Sequence, residues 1–198
     1  MKRYFLFDTE TGGLHAKEVS LLSFFGLILD KNFKVLDDIN LLIRPDDGRY
    51  RLDIDAMKVN KIDILKHHEL AIPQTEAAKK LKEFLWRNVG YSNEKLIPTG
   101  HNIGRLDIPM GERLLGFDEW NRRFAHRTVD TGTIAQFLVL RGTLPETNNC
   151  SLGQLCEHYK IDYTGAHDAK RDVFMTLEVL KAMVKEGTIP QCSPPTLT

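Results

Sequence analysis

A chain of 198 residues is long enough for one domain with a substantial core and short for two. Its apolar content of 42% and charged content of 27% are those of an ordinary globular protein, and no apolar run is long enough to span a membrane. Lys plus Arg equals Asp plus Glu at 27 each, which excludes bulk attraction for polyanions, so any nucleic-acid contact has to come from a local patch or a bound metal.

The first predicted element is a strand over residues 3–8, apolar and aromatic until it meets Asp8. A strand that early leaves no room for a presequence, and the N-terminus has no signal-peptide pattern. Residues 19–29 form a second strand. Asp30, Lys31 and Asn32 supply turn chemistry, and a third strand covers residues 35–43, so the first unit is antiparallel and closes on Pro45-Asp46-Asp47-Gly48. Short helices are expected over 53–59 and 63–70. Over 74–89, Ala77, Ala78, Leu81, Phe84, Leu85 and Val89 fall at helical spacing. A short strand at 96–99 is weakened by Pro98. Helices follow at 106–115 and 131–140, then one to about residue 159 opened by the capping box of Ser151 and Gln154, and a last one from about 168 to 185.

Three strands followed by alternating helices and short strands indicate an α/β domain over 1–186 with a mixed sheet. The remaining twelve residues, GTIPQCSPPTLT, hold three prolines and are expected to form an unpacked tail. Cys150, Cys156 and Cys192 are odd in number and lack C-x-x-C spacing. Reduced thiols in a reducing compartment, hence a cytoplasmic location, follow from that.

The chemistry lies where acids interrupt apolar segments. Asp8 and Glu10 point to the same face at the end of a core strand. Two carboxylates about 4 Å apart repel by roughly 4 kcal/mol at an effective dielectric of about 20, so the pair demands a cation or a shared proton. Asp107, in GHNIGRLD, opens a helix where the dipole favours a carboxylate. In HDAKRDVFMT, Asp172 and Thr176 share a helix face, Ala169 keeps it low, and His167 stands at the helix entry. If Asp8, Glu10, Asp107 and Asp172 converge, they cannot all ionise without cations. An all-oxygen set suits two Mg²⁺ or Mn²⁺ ions rather than zinc. His167, with an ordinary pKa near 6.5, suits the removal of a proton from an attacking water.

The order D-x-E, then H-N-x(4)-D, then H-x-A-x-x-D-x-x-x-T resembles the DEDDh 3′→5′ exonucleases, the family that includes the proofreading subunit of bacterial DNA polymerase III and RNase T. The likeness runs from Tyr4 to about Lys185 and implies a ribonuclease H-like sheet. By matching position it implies that Asp8, Glu10 and Asp172 hold one metal ion and that Asp8, with Asp107 through water, holds the second. His167 is then the general base, and 5′-mononucleotides leave from a 3′ end. The backbone from Thr9 through Thr11 and Gly12 to Gly13, the side chain of Leu14, and Asn102 are implied to cradle the terminal nucleotide. His101 either joins them or hydrogen-bonds within its own loop. Single-stranded or frayed DNA is favoured over RNA, the choice resting on the 2′-hydroxyl. The chain acts alone, as a homodimer or on a DNA polymerase, and these remain open. A non-catalytic binding module on the same fold is the reading from a different class, though such modules are expected to lose an acid and this set is complete.

Three departures from the family stand out. Gly12 replaces a frequent threonine, implying a more flexible turn. Leu106 stands where phenylalanine usually precedes the second motif's aspartate, facing either substrate or core. Asp168 adds charge beside His167. Elsewhere, DTGT at 130–133 is the aspartic-protease tetrapeptide. It occurs once and precedes a helical pattern, whereas that chemistry needs two copies. Asp130 and Thr131 opening a helix is the simpler reading. The most basic stretch, NRRFAHR at 121–127, offers either phosphate contacts with Phe124 as a stacking surface or a charged helix end with Phe124 in the core. His67 and His68 are expected on a solvated face.

Overall fold

The computed structural model describes residues 2–90, 94–146, 150–164 and 168–186. His167 and the tail from residue 187 lie outside the described residues. Strands β1 (Tyr4–Thr11), β2 (Leu21–Leu29) and β3 (Val35–Arg44) form the antiparallel meander that the turn at 30–32 dictates. The helices α1 (Ile54–Asn60) and α2 (Ile64–Leu70) follow, opened by Asp53 and Asp63 through side-chain caps. A two-residue strand β4 (Ile72–Pro73) pairs parallel to β3 and leads into α3 (Gln74–Val89). The chain then returns through β5 (Ile97–Gly100), parallel to β1, and α4 (Asp107–Leu115). Next come α5 (Phe117–Arg123), the two-residue β6 (Val129–Asp130) parallel to β5, α6 (Thr131–Leu140), α7 (Leu152–Tyr159) and α8 (Ala169–Glu186). The sheet order is β4-β3-β2-β1-β5-β6, a mixed α/β sheet of ribonuclease H-like form.

Every residue of β2 is buried, because this strand is covered on both faces. One face packs Phe5, Phe7, Phe24 and Ile28 against Leu81 and Phe84 of α3, Leu114 of α4 and Trp120 of α5. The rings of Phe5, Phe7 and Phe24 lie 5.3–6.0 Å apart, each pair worth about 0.5–1.5 kcal/mol beyond its buried area. The opposite face packs Leu6, Phe25, Leu27 and Leu29 under Ala169, Val173 and Leu177 of α8. A third cluster joins α6, α7 and α8 through Leu138, Leu155, Cys156 and Val179.

The expected strands and helices all form, with three additions, one choice between alternatives decided at Phe124 and one correction at His67. The two-residue β4 and β6 are too short for any periodicity. The helix α5 was hidden by its charges: Asp118 and Glu119 sit in its first turn and Arg122 and Arg123 in its last, the arrangement the helix dipole favours. Phe124 is 1% exposed and packs against Trp120 at 4.1 Å, so it belongs to the core and offers no stacking surface. His67 is not solvated: it is buried, with Nε2 2.8 Å from the Leu22 carbonyl and Nδ1 3.2 Å from the Tyr50 hydroxyl. Cys150 and Cys156 are buried. Among the described residues no helix is long and apolar enough to cross a membrane.

Candidate active site

Strand alternation splits β1 between two environments. Phe5, Phe7 and Thr9 face the aromatic core, whereas Leu6, Asp8 and Glu10 face the start of α8. The small Ala169 seats the first turn of α8 against Leu6 and Phe25, which carries Asp172 to the end of β1. Asp168 anchors that turn: its carboxylate accepts from the Arg171 N–H at 3.0 Å and its carbonyl from the Asp172 N–H at 2.9 Å. One carboxylate oxygen from each of Asp8, Glu10 and Asp172 falls within 4.8 Å of the others.

Asp107 reaches the same strand from the other side. β5 pairs with β1 only at Tyr4, Phe5 and Leu6. Beyond that point the edge of β1 is taken by Asp107 Oδ1, which accepts from the Thr9 N–H at 3.0 Å and the Thr9 hydroxyl at 2.6 Å. Asp107 is the first residue of α4 and is 7% exposed. Leu106 holds the N-cap position, so the Asp107 side chain is turned to the strand rather than spent on its own helix.

The electrostatics are one-sided. Burial, then the charges of Asp107, Asp172, Glu10 and Asp168, holds the Asp8 carboxyl well above the usual carboxylate range. Burial, then Asp172, Asp168 and Asp107, pushes Glu10 up to about 8. Burial raises Asp107 to about 7 against the lowering effect of its two bonds from Thr9. Among the described residues, the charges that shift Asp8 and Glu10 are those of other carboxylates. The donor set is all oxygen, with no sulfur and no imidazole among the described residues of the cluster, and it fits a hard divalent cation.

The loop between β5 and α4 is organised by a residue of the later segment. Asp130 caps α6 by accepting from the Gly132 and Thr133 N–H groups, and it also accepts from the Asn102 and Ile103 N–H groups at 3.0 Å each. Thr131, fully buried, donates to the Gly100 carbonyl at 3.2 Å and contacts His101 Nδ1 at 2.9 Å. Asn102 Nδ2 lies 3.1 Å from His101 Nε2. A Cβ on Gly132 would meet Asn102 Oδ1 at 2.2 Å, so the glycine makes room for that side chain. Asp130 and Thr131 therefore open a helix, as the sequence suggests, and in addition clamp the loop that delivers Asp107.

The exonuclease family model named for RNase T matches residues 5–180. The chain belongs to this family. That bears out the DEDDh recognition, and the sheet bears out the ribonuclease H-like fold. No curated protein matches the chain. Three solved structures are similar in fold. The complex of E. coli Exonuclease I with a dA16 oligonucleotide superposes with a TM-score of 0.79 at 18% identity, covering 94% of this chain and 42% of that one. Its zinc-bound complex with single-stranded DNA gives 0.76 at 18%, over 95% and 41%. A complex of the same exonuclease with the C-terminus of single-stranded-DNA-binding protein gives 0.73 at 15%, over 94% and 42%. The chain thus spans about two fifths of the length of the structures it matches.

The family's turn after the D-x-E motif is braced from both sides. The Gly12 N–H donates to Ser20, the Asp53 N–H donates to the Gly12 carbonyl, and Asn60 Nδ2 donates to the Thr11 carbonyl at 3.1 Å. A Cβ on Gly12 would lie 2.3 Å from the Arg51 carbonyl oxygen. The glycine therefore answers to close backbone approach, which corrects the expectation of a flexible turn. The Thr9 and Gly12 N–H groups are already engaged within the protein, and the Thr11 hydroxyl donates to the Gly13 carbonyl at 2.7 Å. Gly13 and Leu14, the latter 61% exposed, remain to face an open pocket of about 310 Å³ beside Glu10, floored by Ala56, Val59 and Leu106. Leu106 thereby takes both expected positions, packing on the core and walling the pocket. The roles of Asp130 and of the Thr9 hydroxyl escape sequence reasoning. A capping aspartate between two apolar segments was the one available signal for the first.

Proposed function

We propose that the chain is a divalent-metal-dependent 3′→5′ exonuclease that releases 5′-mononucleotides from single-stranded or frayed DNA ends. One observation supports the reading above all: carboxylate oxygens of Asp8, Glu10 and Asp172 lie within 4.8 Å of one another, with Asp8 and Glu10 both raised by burial and by neighbouring carboxylates, within the stretch matched by an exonuclease family. Asp8, Glu10 and Asp172 would hold one Mg²⁺ or Mn²⁺ ion, and Asp8, with Asp107 through water, would hold the second. Two such ions, when bound, lower the pKa of a water and steady the attacking and leaving oxygens of a phosphodiester.

The chain's own residues do the rest. Gly13, Leu14 and the apolar floor of the pocket seat the terminal nucleotide beside Glu10, with Asn102, braced by His101, at the rim. Thr9 fixes the rotamer of Asp107. His167, placed by the motif match alone, takes a proton from the attacking water. The water oxygen then bonds to phosphorus as the bond to the 3′-oxygen breaks, and that oxygen leaves with a proton from solvent. Cytoplasmic work at DNA ends, alone, as a homodimer or on a DNA polymerase, is consistent with the reduced thiols and the family resemblance.

The test is a 3′-labelled oligonucleotide incubated with Mg²⁺ or Mn²⁺ and then with chelator. Labelled mononucleotide released only with metal supports the enzyme; stable binding without cleavage supports a binding module instead. Matched DNA and RNA oligonucleotides separate the two substrates, and faster trimming of RNA would replace DNA in the reading.

A further inference from the structure

The acid cluster repels the phosphates of the strand it is to cut, and the chain has no net positive charge to compensate. Several lysines and arginines pair with acids, Lys58 with Asp55, Arg87 with Asp37, Arg123 with Glu119 and Arg171 with Asp162 among them. Four of the others gather in one place. Lys17, Arg49, Arg51 and Arg113 line one pocket of about 340 Å³, and among the described residues none of them enters an ion pair. The same pocket also holds two carboxylates against its four cations, and both carboxylates accept neutral donors. Asp46 accepts from the Thr75 N–H and hydroxyl at 3.0 Å each, and Asp47 from the Arg49 N–H at 2.9 Å.

One cation of the pocket is anchored through its side chain and a second stands on fixed backbone, while Lys17 and Arg49 are exposed. Arg113 reaches it from α4 and is held there by donating from Nη1 to the Ala16 carbonyl and, at 2.8 Å, to that of Val19. Arg51 is stapled in place by its backbone, whose N–H donates to the Ser20 hydroxyl at 2.8 Å and whose carbonyl accepts from the Ser20 N–H at 3.0 Å. Burial, and then the charge of Arg51, holds the Arg113 guanidinium below its usual range. Two cations kept together in this way are relieved by an anion.

The position matters as much as the charge. Ser20 also accepts from the Gly12 N–H, and Asp53, two residues after Arg51, donates to the Gly12 carbonyl. The nucleotide-facing pocket and the cationic pocket are therefore the two sides of one wall, made of the 12–20 and 51–53 segments. Four cations spaced around a concave surface suit the regular phosphates of a single strand, to which arginine donates in a fixed fork.

We propose that Lys17, Arg49, Arg51 and Arg113 form an upstream phosphate-binding site, which grips the backbone of the strand whose 3′ end occupies the acid cluster. The inference rests on the exonuclease reading above. Its test is the combined variant Lys17→Gln, Arg49→Gln and Arg51→Gln, which spares the structural Arg113. Two substrates are compared under turnover: the p-nitrophenyl ester of thymidine 5′-monophosphate, which fills only the acid site, and a single-stranded 12-mer. The variant is expected to hydrolyse the ester at the wild-type rate. It should raise KM for the 12-mer by roughly 10- to 100-fold with kcat nearly unchanged, and the salt dependence of kcat/KM should flatten by about 2, at roughly 0.7 per lost phosphate contact. A control carrying Lys79→Gln, Lys80→Gln and Lys82→Gln on α3 removes the same charge elsewhere and should move KM far less. Equal KM in variant and wild type, or an equal rise in the control, overturns the site while leaving the exonuclease intact. Loss of ester hydrolysis in the variant also counts against it, since the residues would then serve the fold. A wild type that cleaves neither substrate removes the parent reading and this site together.

Discussion

Acids at two places in this molecule look alike in sequence and live in opposite conditions. Asp130 accepts four backbone N–H groups, two from its own helix and two from the loop before α4. Among the described residues Asp8 and Glu10 feel the charges of other carboxylates, which burial makes worse. A satisfied carboxylate contributes to stability. An unsatisfied one stores electrostatic free energy that only a proton or a cation relieves. The difference teaches that neighbours, rather than residue type, separate a structural acid from the acids proposed for catalysis, and it predicts opposite responses to the same substitution.

The sharpest break of that symmetry is Asp8→Ala. It should lower kcat by at least about 10³-fold, because a shared ligand is lost. The metal-free melting temperature should stay level or rise, because a repulsive charge is gone; a large fall would mark Asp8 as structural. His167→Ala comes next, expected to slow catalysis by about 10²–10⁴-fold with metal binding retained. Its pH–rate profile should lose the limb contributed by the general base, and an unchanged profile would deny the base role. Asp130→Ala should do the reverse of Asp8→Ala, lowering stability by about 2–3 kcal/mol as a cap and two loop bonds go. Its kcat should suffer only as far as Asp107 loses its position, measured by denaturant unfolding beside activity.

The smallest effect concerns pH. Glu10 in the metal-free fold loses its proton at about 8, against an ordinary 4.5. The unfolded chain therefore deprotonates first, and metal-free stability falls as pH climbs from about 4.5 to about 8. Divalent cations bind the deprotonated set, so Mn²⁺ should raise the melting temperature more at pH 8 than at pH 5.5, by about 3–6 °C for roughly 1–2 kcal/mol. Equal shifts at both pH values would mean that these acids do not hold the ion.

The acids were legible in the sequence because alternation and helical spacing act locally: Asp8 and Glu10 share a strand face, and Asp172 follows Ala169 by one turn. What remained hidden depends on contacts distant in the chain. Nothing near Gly12 announces that the Arg51 carbonyl will press against it. The burial of His67 depends on a carbonyl of β2, 45 residues earlier. Asp130 advertises a helix cap, but its second duty to Asn102 and Ile103 appears only when β6 docks beside β5. The helix α5 was missed for a different reason. Trp120 and Phe124, four apart, carry its apolar side, and the surrounding arginines made the segment look like a basic surface.

The helix α4 ties the molecule's two electrostatic regions into one rigid body. It opens with Asp107 at the acid cluster and carries Arg113 on the cationic wall six residues later, a rise of about 9 Å. Between them Gly111 lies so close to the indole of Trp120 that an added Cβ would sit 2.3 Å from Cζ3. A single methyl at that midpoint would act as a wedge, tilting the helix off the aromatic core and disturbing both ends at once.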